Sequence, residues 1–129
     1  MSEISQFSQG LHEECGVFGM YDKTGATDMV SAVYSALYAL QHRGQESTGI
    51  ASYDGKHIRL HAGMGLVPDV YDEATLGQEL QGNRAIGHVR YSTSGVSVRK
   101  NAQPLVVRVC GIEIALAHNG NLTNASELR

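Results

Sequence analysis

The sequence predicts an α+β fold in which separate helices pack on antiparallel β-sheet. Two pairs of short β-like segments are each joined by a tight turn, and one stretch with helical spacing of apolar residues stands apart from them. The 129 residues, of which 42% are apolar and 18% charged, suit one globular domain with one buried core. A repeated strand–helix–strand pattern, which would indicate a parallel sheet, is not visible in the sequence.

The charge pattern argues against nucleic-acid and membrane partners. The formal net charge is −3, the isoelectric point is near 6.0, and the sequence has no run of basic residues. It also has no apolar stretch near the roughly 20 residues that a membrane-spanning helix needs. Residues 1–14 lack the basic start and the apolar stretch of a secretory signal. We therefore expect a cytoplasmic protein that binds neither nucleic acid nor membrane.

The first elements in chain order are a strand and a helix. The segment CGVFGMYD predicts a short strand between glycines. Asp28 is a suitable N-cap for the helix that follows, in which apolar residues recur at helical spacing: Val30, Val33, Tyr34, Leu37, Tyr38 and Leu40. We expect His42 and Arg43 in the last turn of this helix and Gly44 as its left-handed stop.

The middle and second half of the chain predict two hairpins with a helix and a strand between them. The segments TGIASY and KHIRLHA flank Asp54-Gly55, which suits a two-residue type I′ turn. The segment DEATLGQELQG predicts a short helix that ends at Gly82, and RAIGHVRYS predicts a strand that enters a Ser/Thr/Gly loop. The segments PLVVRV and IEIALAH then predict a second hairpin across Cys110-Gly111.

The last residues, HNGNLTNASELR, predict the start of another helix. Thr123 or Asn124 can cap it, and Glu127 can complete a capping box with Asn124. The chain stops about one turn later, and so short a helix is not stable by itself. We therefore expect a truncated domain with exposed apolar faces and unpaired strand edges.

Cys15 is a candidate nucleophile. A cysteine thiolate is the strongest nucleophile among the side chains at neutral pH, but it needs a base. If the polar residues 1–14 were removed, the α-amine of Cys15 could be that base, because a terminal amine titrates near ~8. The alternative is a buried strand cysteine. Cys15 and Cys110 lack C-x-x-C partners, so free thiols are expected and a zinc or iron–sulfur site is not.

Asn119 and Gly120 are candidates for stabilising an oxyanion. They follow an apolar segment, and they offer a side-chain amide beside a glycine whose N–H can approach a ligand closely. Attack of a thiolate on an amide creates negative charge that needs such donors. The alternative is an ordinary turn, because Asn-Gly is common in turns.

Arg90 is a candidate for binding a carboxylate. It ends a predicted strand and is followed by hydroxyl side chains at Ser92, Thr93 and Ser94. An arginine can hold a carboxylate, such as that of glutamine, by two parallel hydrogen bonds, to which hydroxyls can add. The alternative is a solvated surface arginine. Arg43 in QHRGQES can equally be a cation at a helix C-terminus.

The order of these motifs resembles the amidophosphoribosyltransferase family. The resemblance covers Cys15 to Arg129 and rests on CGVFG, LQHRGQESTGI, GHVRYSTSG, AQPL and LAHNGNLTNASELR. The wider superfamily, with an N-terminal cysteine, includes glucosamine-6-phosphate synthase, glutamate synthase and asparagine synthetase. Glucosamine-6-phosphate synthase is expected to have tryptophan in place of Tyr91 and tyrosine in place of Gln45.

The resemblance implies an N-terminal-nucleophile hydrolase fold, an αββα sandwich of antiparallel sheets, here truncated. Residues 1–14 would be a leader or propeptide, and residues 15–129 the N-terminal part of a type 2 glutamine amidotransferase domain.

By the same resemblance, Cys15 would be the nucleophile and, through its own amine, the base. Asn119 and Gly120 would form the oxyanion hole, Arg90 would hold the substrate carboxylate, and Thr93 would line the pocket. The aspartate that binds the substrate amino group would lie beyond residue 129.

The implied reaction is hydrolysis of glutamine to glutamate and ammonia. In the full enzyme, a phosphoribosyltransferase domain absent from this chain would use the ammonia and magnesium to convert phosphoribosyl pyrophosphate to 5-phosphoribosylamine, the first step of purine synthesis. The full enzyme would be a homo-oligomer. This chain would hold no cofactor or metal, although some members carry an iron–sulfur cluster whose ligands lie mostly downstream.

The alternatives are another class II amidotransferase, of the glucosamine-6-phosphate synthase type, or an inactive truncated fragment. We expect the isolated 129-residue chain to be inactive.

Overall fold

The computed structural model describes residues 15–91, 98–120 and 122–129, and it confirms the predicted α+β fold. A four-stranded antiparallel sheet has the strand order β1-β4-β2-β3, and a two-stranded antiparallel sheet pairs β5 with β6. The strands are Gly16–Tyr21 (β1), Ser47–Tyr53 (β2), Ile58–Met64 (β3), Arg84–Arg90 (β4), Leu105–Val109 (β5) and Ile112–Leu116 (β6). The helices are Met29–Ala39 (α1) and the single turn Val67–Val70 (α2).

One face of the four-stranded sheet packs on α1. Gly87 in β4 lies directly under the helix, where a Cβ would come within 2.7 Å of both Val33 and Leu37. Glycine therefore allows the helix to approach the sheet closely. The buried core between these layers consists of Met29, Val30, Val33, Leu37, Ile50, Val67, Tyr71, Leu80, Ala85 and Val89. Full burial of one such aliphatic side chain stabilises the fold by about 1.5–3 kcal/mol.

The opposite face of the four-stranded sheet carries the β5–β6 sheet. Gly49 and His88 are paired in the register and lie on this face, since side chains alternate along strands. Gly49 has no room for a Cβ against the carbonyl of Gln103, and His88 Nε2 lies 3.1 Å from the carbonyl oxygen of His118. The described residues thus form three layers in the order helix, sheet, sheet, which correspond to three of the four layers of the predicted sandwich.

The start of α1 is as predicted, and its end is not. Asp28 caps the helix by accepting a hydrogen bond from the Ser31 N–H at 3.1 Å. The Ser31 hydroxyl, which donates to the same carboxylate at 2.6 Å, and this N–H lower the pKa of Asp28. The helix ends at Ala39, and Gln41–Arg43 form a separate 3₁₀ turn. Gly44 is extended, with φ −156°, so the predicted left-handed stop is wrong. Glycine is needed there because a Cβ would come within 2.7 Å of the Val89 backbone.

The predicted hairpin between β2 and β3 is confirmed, but the predicted two-residue turn at Asp54-Gly55 is wrong. Tyr53 pairs with Ile58, so residues 54–57 form a longer loop. The carboxylate of Asp54 accepts hydrogen bonds from the backbone N–H groups of Lys56 and His57 at 2.9 and 2.8 Å. These bonds hold the pKa of Asp54 well below its usual range. The Asp54 side chain therefore favours the longer loop over a type I′ turn.

The second hairpin has the predicted turn at Cys110-Gly111. Both residues have positive φ, 50° and 80°, as the two central positions of a type I′ turn require. Such a turn matches the twist of the flanking strands, so β5 and β6 pair along their whole length from Leu105 with Leu116 to Val109 with Ile112. The residues at the turn are therefore compatible with the hairpin that the sequence predicts.

The segment between β3 and β4 is less helical than predicted. The predicted helix ending at Gly82 is a five-residue π-helical turn, Thr75–Glu79, and the chain is extended at Leu80. Gly82 has φ 133° and leaves no room for a Cβ against the Tyr53 carbonyl, so it ends the segment by close packing. The single turn α2, which starts with Val67 and Pro68, was not predicted.

The predicted helix near the C-terminus is a turn. Residues 123–127 form it, and the Glu127 N–H donates to the Asn124 carbonyl at 3.0 Å. The longest helix in the described ranges is therefore α1, with 11 residues. None of the helices in this part of the chain has the length and apolar character to cross a bilayer.

Candidate active site

Cys15 lies immediately before β1, beside the end of β4. Gly16 pairs with Val89, so one step further along the antiparallel register places Cys15 beside Arg90. Cys15 is partly buried and has φ 42°, a left-handed conformation that is uncommon outside glycine. Its thiol lies 3.7 Å from the carbonyl oxygen of Tyr91, to which it can donate. The thiol therefore faces the segment that follows β4.

Two side chains from distant parts of the chain bind the carbonyl oxygen of Cys15. Arg43 Nε donates to it at 2.9 Å, and Asn119 Nδ2 donates to it at 3.3 Å. Arg43 belongs to the 3₁₀ turn after α1, and Asn119 follows β6. The sequence left open whether Arg43 is only a helix-terminal cation, and the structure shows that it contacts the backbone of the candidate nucleophile.

The segment of Asn119 and Gly120 is a bend that is anchored by two other residues. The His118 N–H donates to Gln103 Oε1 at 2.7 Å, and the His118 carbonyl lies 3.1 Å from His88 Nε2. Gly120 has φ 138°, and a Cβ there would come within 3.2 Å of the His118 ring. The turn interpretation and the functional interpretation of this segment are therefore compatible, because the bend carries the Asn119 amide to Cys15.

His88 supports this bend from a buried position that the sequence analysis missed. Its side chain is fully buried, and burial lowers the pKa of His88. A carbonyl oxygen only accepts hydrogen bonds, so Nε2 must carry the proton in the contact with His118. Nδ1 is buried and has no hydrogen-bond partner among the described residues. His88 is therefore held as a neutral ring that orients the segment before Asn119.

Arg90 is a largely buried, ion-paired residue rather than a solvated surface arginine. Its side chain is 12% exposed, and its Nη1 donates to Glu46 Oε1 at 3.0 Å. Glu46, whose side chain is 11% exposed, was not singled out by the sequence analysis. Glu46 could have been found from its position directly before β2, because β2 pairs with the strand that ends at Arg90.

Two parts of the predicted site lie outside the described residues. Thr93, with the neighbouring hydroxyls, falls within residues 92–97, and the proposed leader comprises residues 1–14. The roles assigned to them remain predictions. The structure brings Cys15, Asn119 and the C-terminal end of β4, which carries Arg90, together at one end of the four-stranded sheet, where β1 begins and β4 ends.

The described residues offer little for a metal. Over residues 15–91, 98–120 and 122–129, no three side chains of His, Cys, Asp or Glu are grouped so that they could hold an ion. Cys15 and Cys110 are both free thiols, and Cys110 is exposed in the turn between β5 and β6.

Comparisons with known proteins show the family to which the chain belongs. The family model described as "Glutamine amidotransferases class-II" matches residues 15–129. The chain is 50% identical over 119 residues to the amidophosphoribosyltransferase of Methanothermobacter thermautotrophicus, covering 92% of this chain and 25% of that protein. It is 54% identical over 115 residues to the amidophosphoribosyltransferase of Archaeoglobus fulgidus, covering 89% and 24%.

The fold is also similar to that of a solved relative. The structure of glutamine phosphoribosylpyrophosphate amidotransferase from B. subtilis, in complex with ADP and GMP, aligns with a TM-score of 0.74 and 42% sequence identity. The alignment covers 87% of this chain and 23% of that one. The chain thus spans about a quarter of the length of these relatives.

Proposed function

The chain belongs to the class-II glutamine amidotransferases, and on that premise we propose that it carries the glutamine-hydrolysing site of an amidophosphoribosyltransferase. Cys15 is the nucleophile. The observation that carries the proposal is the convergence of Arg43 and Asn119 on the carbonyl oxygen of Cys15. These contacts hold the backbone of Cys15 and support the proposal that the Asn119 amide is an oxyanion donor.

The first half of the reaction makes a thioester. After loss of residues 1–14, the α-amine of Cys15 takes the proton of its own thiol, and the thiolate attacks the side-chain amide carbon of glutamine. The Asn119 amide and the Gly120 N–H stabilise the negative charge on the amide oxygen. The carbon–nitrogen bond then breaks, and the proton on the α-amine passes to the nitrogen that leaves as ammonia.

The second half restores the enzyme. Water attacks the thioester with the α-amine as general base, glutamate is released, and the proton returns to the Cys15 thiol. The amine is thus needed as a base in both halves. A leader that remained attached would turn the amine into an amide, which is not basic, so removal of residues 1–14 is part of the proposal.

Arg90 is proposed to bind the α-carboxylate of glutamine. Its position beside Cys15 in the register and its low exposure support this role. An arginine in a partly dehydrated site forms stronger charge-assisted hydrogen bonds than one in open solvent. We propose that Thr93 lines the same pocket.

The ammonia would be consumed by a second domain, as the names of the relatives suggest. There, ammonia would displace pyrophosphate from phosphoribosyl pyrophosphate with the help of magnesium, giving 5-phosphoribosylamine. In this proposal the present chain would supply the ammonia and the second domain would carry out the transfer.

The test compares Cys15→Ala with Cys110→Ala in the complete gene product that contains this chain. Cys110 is a matched control because it is the other free cysteine and lies at an exposed hairpin turn. Cys15→Ala should abolish release of ammonia from glutamine while leaving use of added ammonium salts intact, and Cys110→Ala should retain both. Glutamine hydrolysis by Cys15→Ala at the rate of the unmodified protein would refute the proposal.

For the isolated chain, the exposed face of the β5–β6 sheet favours the inactive alternative. Its outward side chains are all aliphatic and between 43% and 65% exposed: Leu105, Val107, Val109, Ile112, Ile114 and Leu116. Exposed apolar faces of this kind promote association. We therefore propose that residues 1–129 alone do not turn over glutamine.

A further inference from the structure

Glu46 and Arg90 form an ion pair that is shielded from solvent. Glu46 Oε1 accepts from Arg90 Nη1 at 3.0 Å, and the two side chains are 11% and 12% exposed. The other carboxylate oxygen, Oε2, is buried and has no hydrogen-bond partner among the described residues. Burying a carboxylate with one unsatisfied oxygen costs free energy that a single ion pair does not fully offset. Such a pair calls for a functional explanation.

The backbone holds the two residues in one fixed relation. The Glu46 N–H donates to the Arg90 carbonyl at 3.0 Å, and the Glu46 carbonyl accepts from the Gly65 N–H at 2.9 Å. Gly44 lies against the backbone of Val89 and Arg90, where a Cβ would come within 2.7–2.8 Å of backbone atoms. Backbone hydrogen bonds and close packing therefore hold the segment before β2 against the end of β4. The Glu46 side chain extends from this segment to Arg90.

We propose that Glu46 is a positioning residue that orients the Arg90 guanidinium for the α-carboxylate of glutamine. The inference rests on the proposed function, in which Arg90 binds that carboxylate. A guanidinium has five N–H donors in one plane, so a carboxylate that accepts from Nη1 restricts the direction in which the other donors of Arg90 point. Glu46 itself touches no reacting atom.

Orientation of Arg90 by Glu46 and simple neutralisation of its charge have opposite effects on KM for glutamine. A carboxylate that only neutralised Arg90 would compete with the substrate, so its removal would lower KM for glutamine. A carboxylate that orients Arg90 raises affinity, so its removal would raise KM. The buried geometry favours orientation, because a flexible guanidinium loses side-chain entropy when it binds, and Glu46 removes that freedom beforehand.

The first experiment measures steady-state glutamine hydrolysis by Glu46→Ala and Glu46→Gln in the complete gene product. We expect KM for glutamine to rise about tenfold or more in Glu46→Ala, with kcat changed by less than about threefold. Glu46→Gln keeps an acceptor oxygen, so its KM should lie between those of the parent and Glu46→Ala. Glu79→Gln is the matched control, since Glu79 pairs with His61 away from Arg90, and it should leave KM unchanged.

A KM for Glu46→Ala equal to or below that of the parent would overturn the proposal. If Glu46→Ala does not fold, Glu46→Asp replaces it, because a side chain shorter by one methylene withdraws the carboxylate from Nη1 while keeping its charge. The same rise in KM is expected for Glu46→Asp, and an unchanged KM would again contradict the proposal.

A double-mutant cycle separates positioning from general stability. Once Arg90 is replaced by alanine, Glu46 has nothing left to orient, so Glu46→Ala should change KM by less than about twofold in the Arg90→Ala background. Full additivity of the two effects would overturn the proposal. Loss of activity in Cys15→Ala together with a raised KM in Arg90→Ala tests the proposed function separately, so failure of that function and failure of the Glu46 inference give different results.

Discussion

The side-chain amide nitrogen of Asn119 lies 3.3 Å from the carbonyl oxygen of Cys15, although 104 residues separate the two in the sequence. The contact joins the bend after β6 to the start of β1, and the bend is itself held by Gln103 and His88. These contacts fix the position of the candidate oxyanion donor, Asn119, relative to the backbone of the candidate nucleophile, Cys15.

Replacing Asn119 by alanine should slow catalysis more than it weakens substrate binding. The Asn119 amide is proposed to bind the oxyanion, and loss of one such donor costs about 10²–10³ in kcat. Ammonia release from glutamine by the complete gene product measures the effect. Asn124→Ala is the control, because Asn124 lies in an exposed turn. A kcat within about threefold of the parent would exclude Asn119 from the oxyanion hole.

The isolated chain of residues 1–129 should release no more ammonia from glutamine than its Cys15→Ala variant. The exposed aliphatic face of β5 and β6 should also make it self-associate, as seen in light scattering or binding of a hydrophobic dye. Release of ammonia above the Cys15→Ala background would contradict this prediction and show that residues 1–129 are sufficient for turnover.

Stability should decrease between neutral and mildly acidic pH because of His88. Burial lowers the pKa of His88, so the unfolded chain binds this proton more readily than the folded one. The contribution of His88 to the free energy of unfolding is complete above its pKa in the unfolded chain, about 6.5. It decreases as the pH falls from there towards the lower pKa of His88 in the folded protein. Within that window the free energy of unfolding should change by up to about 1.4 kcal/mol per pH unit.

His88→Gln should remove this part of the pH dependence, because glutamine can donate to the His118 carbonyl without titrating. Urea unfolding followed by circular dichroism between pH 5 and 7 measures it, with His57→Gln as the exposed control. Equal pH slopes in the parent and in His88→Gln would contradict the assignment of the decrease to His88.

Gly44→Ala should destabilise the protein by about 1–3 kcal/mol, since the added Cβ would meet the Val89 and Arg90 backbone at 2.7–2.8 Å. Gly77→Ala is the matched control: a Cβ there meets no atom within 4 Å, so the change should be neutral or mildly stabilising. Thermal unfolding measures both variants. Similar melting temperatures for the two would show that the close approach at Gly44 can relax without cost.

Features set by local chemistry were predictable from the sequence. The Asp28 cap and the Cys110-Gly111 turn depend on residues close to each other in the chain, and both are confirmed. The left-handed stop at Gly44 was wrong because the glycine serves a contact with Val89, which the helix pattern does not reveal. The two-residue turn predicted after Tyr53 was wrong because the Asp54 carboxylate accepts hydrogen bonds from two backbone N–H groups of a longer loop.

In the candidate site, too, features that depend on residue type and motif could be predicted, and features that depend on tertiary contacts could not. Cys15, Asn119, Gly120 and Arg90 could be singled out from residue type and motif order. The contacts of Arg43 with Cys15 and of Glu46 with Arg90 could not, because they span 28 and 44 residues and depend on where the turn after α1 meets β4. Tertiary contacts of this kind carry no periodic signal.

The most direct test of the proposed function is peptide mapping of the active gene product after reaction with an electrophilic diazoketone analogue of glutamine. We predict one covalent adduct, on Cys15, in molecules whose N-terminus is the free amine of Cys15, with loss of glutamine hydrolysis in proportion to labelling. An adduct on Cys110, or full glutamine hydrolysis by molecules that retain residues 1–14, would contradict it.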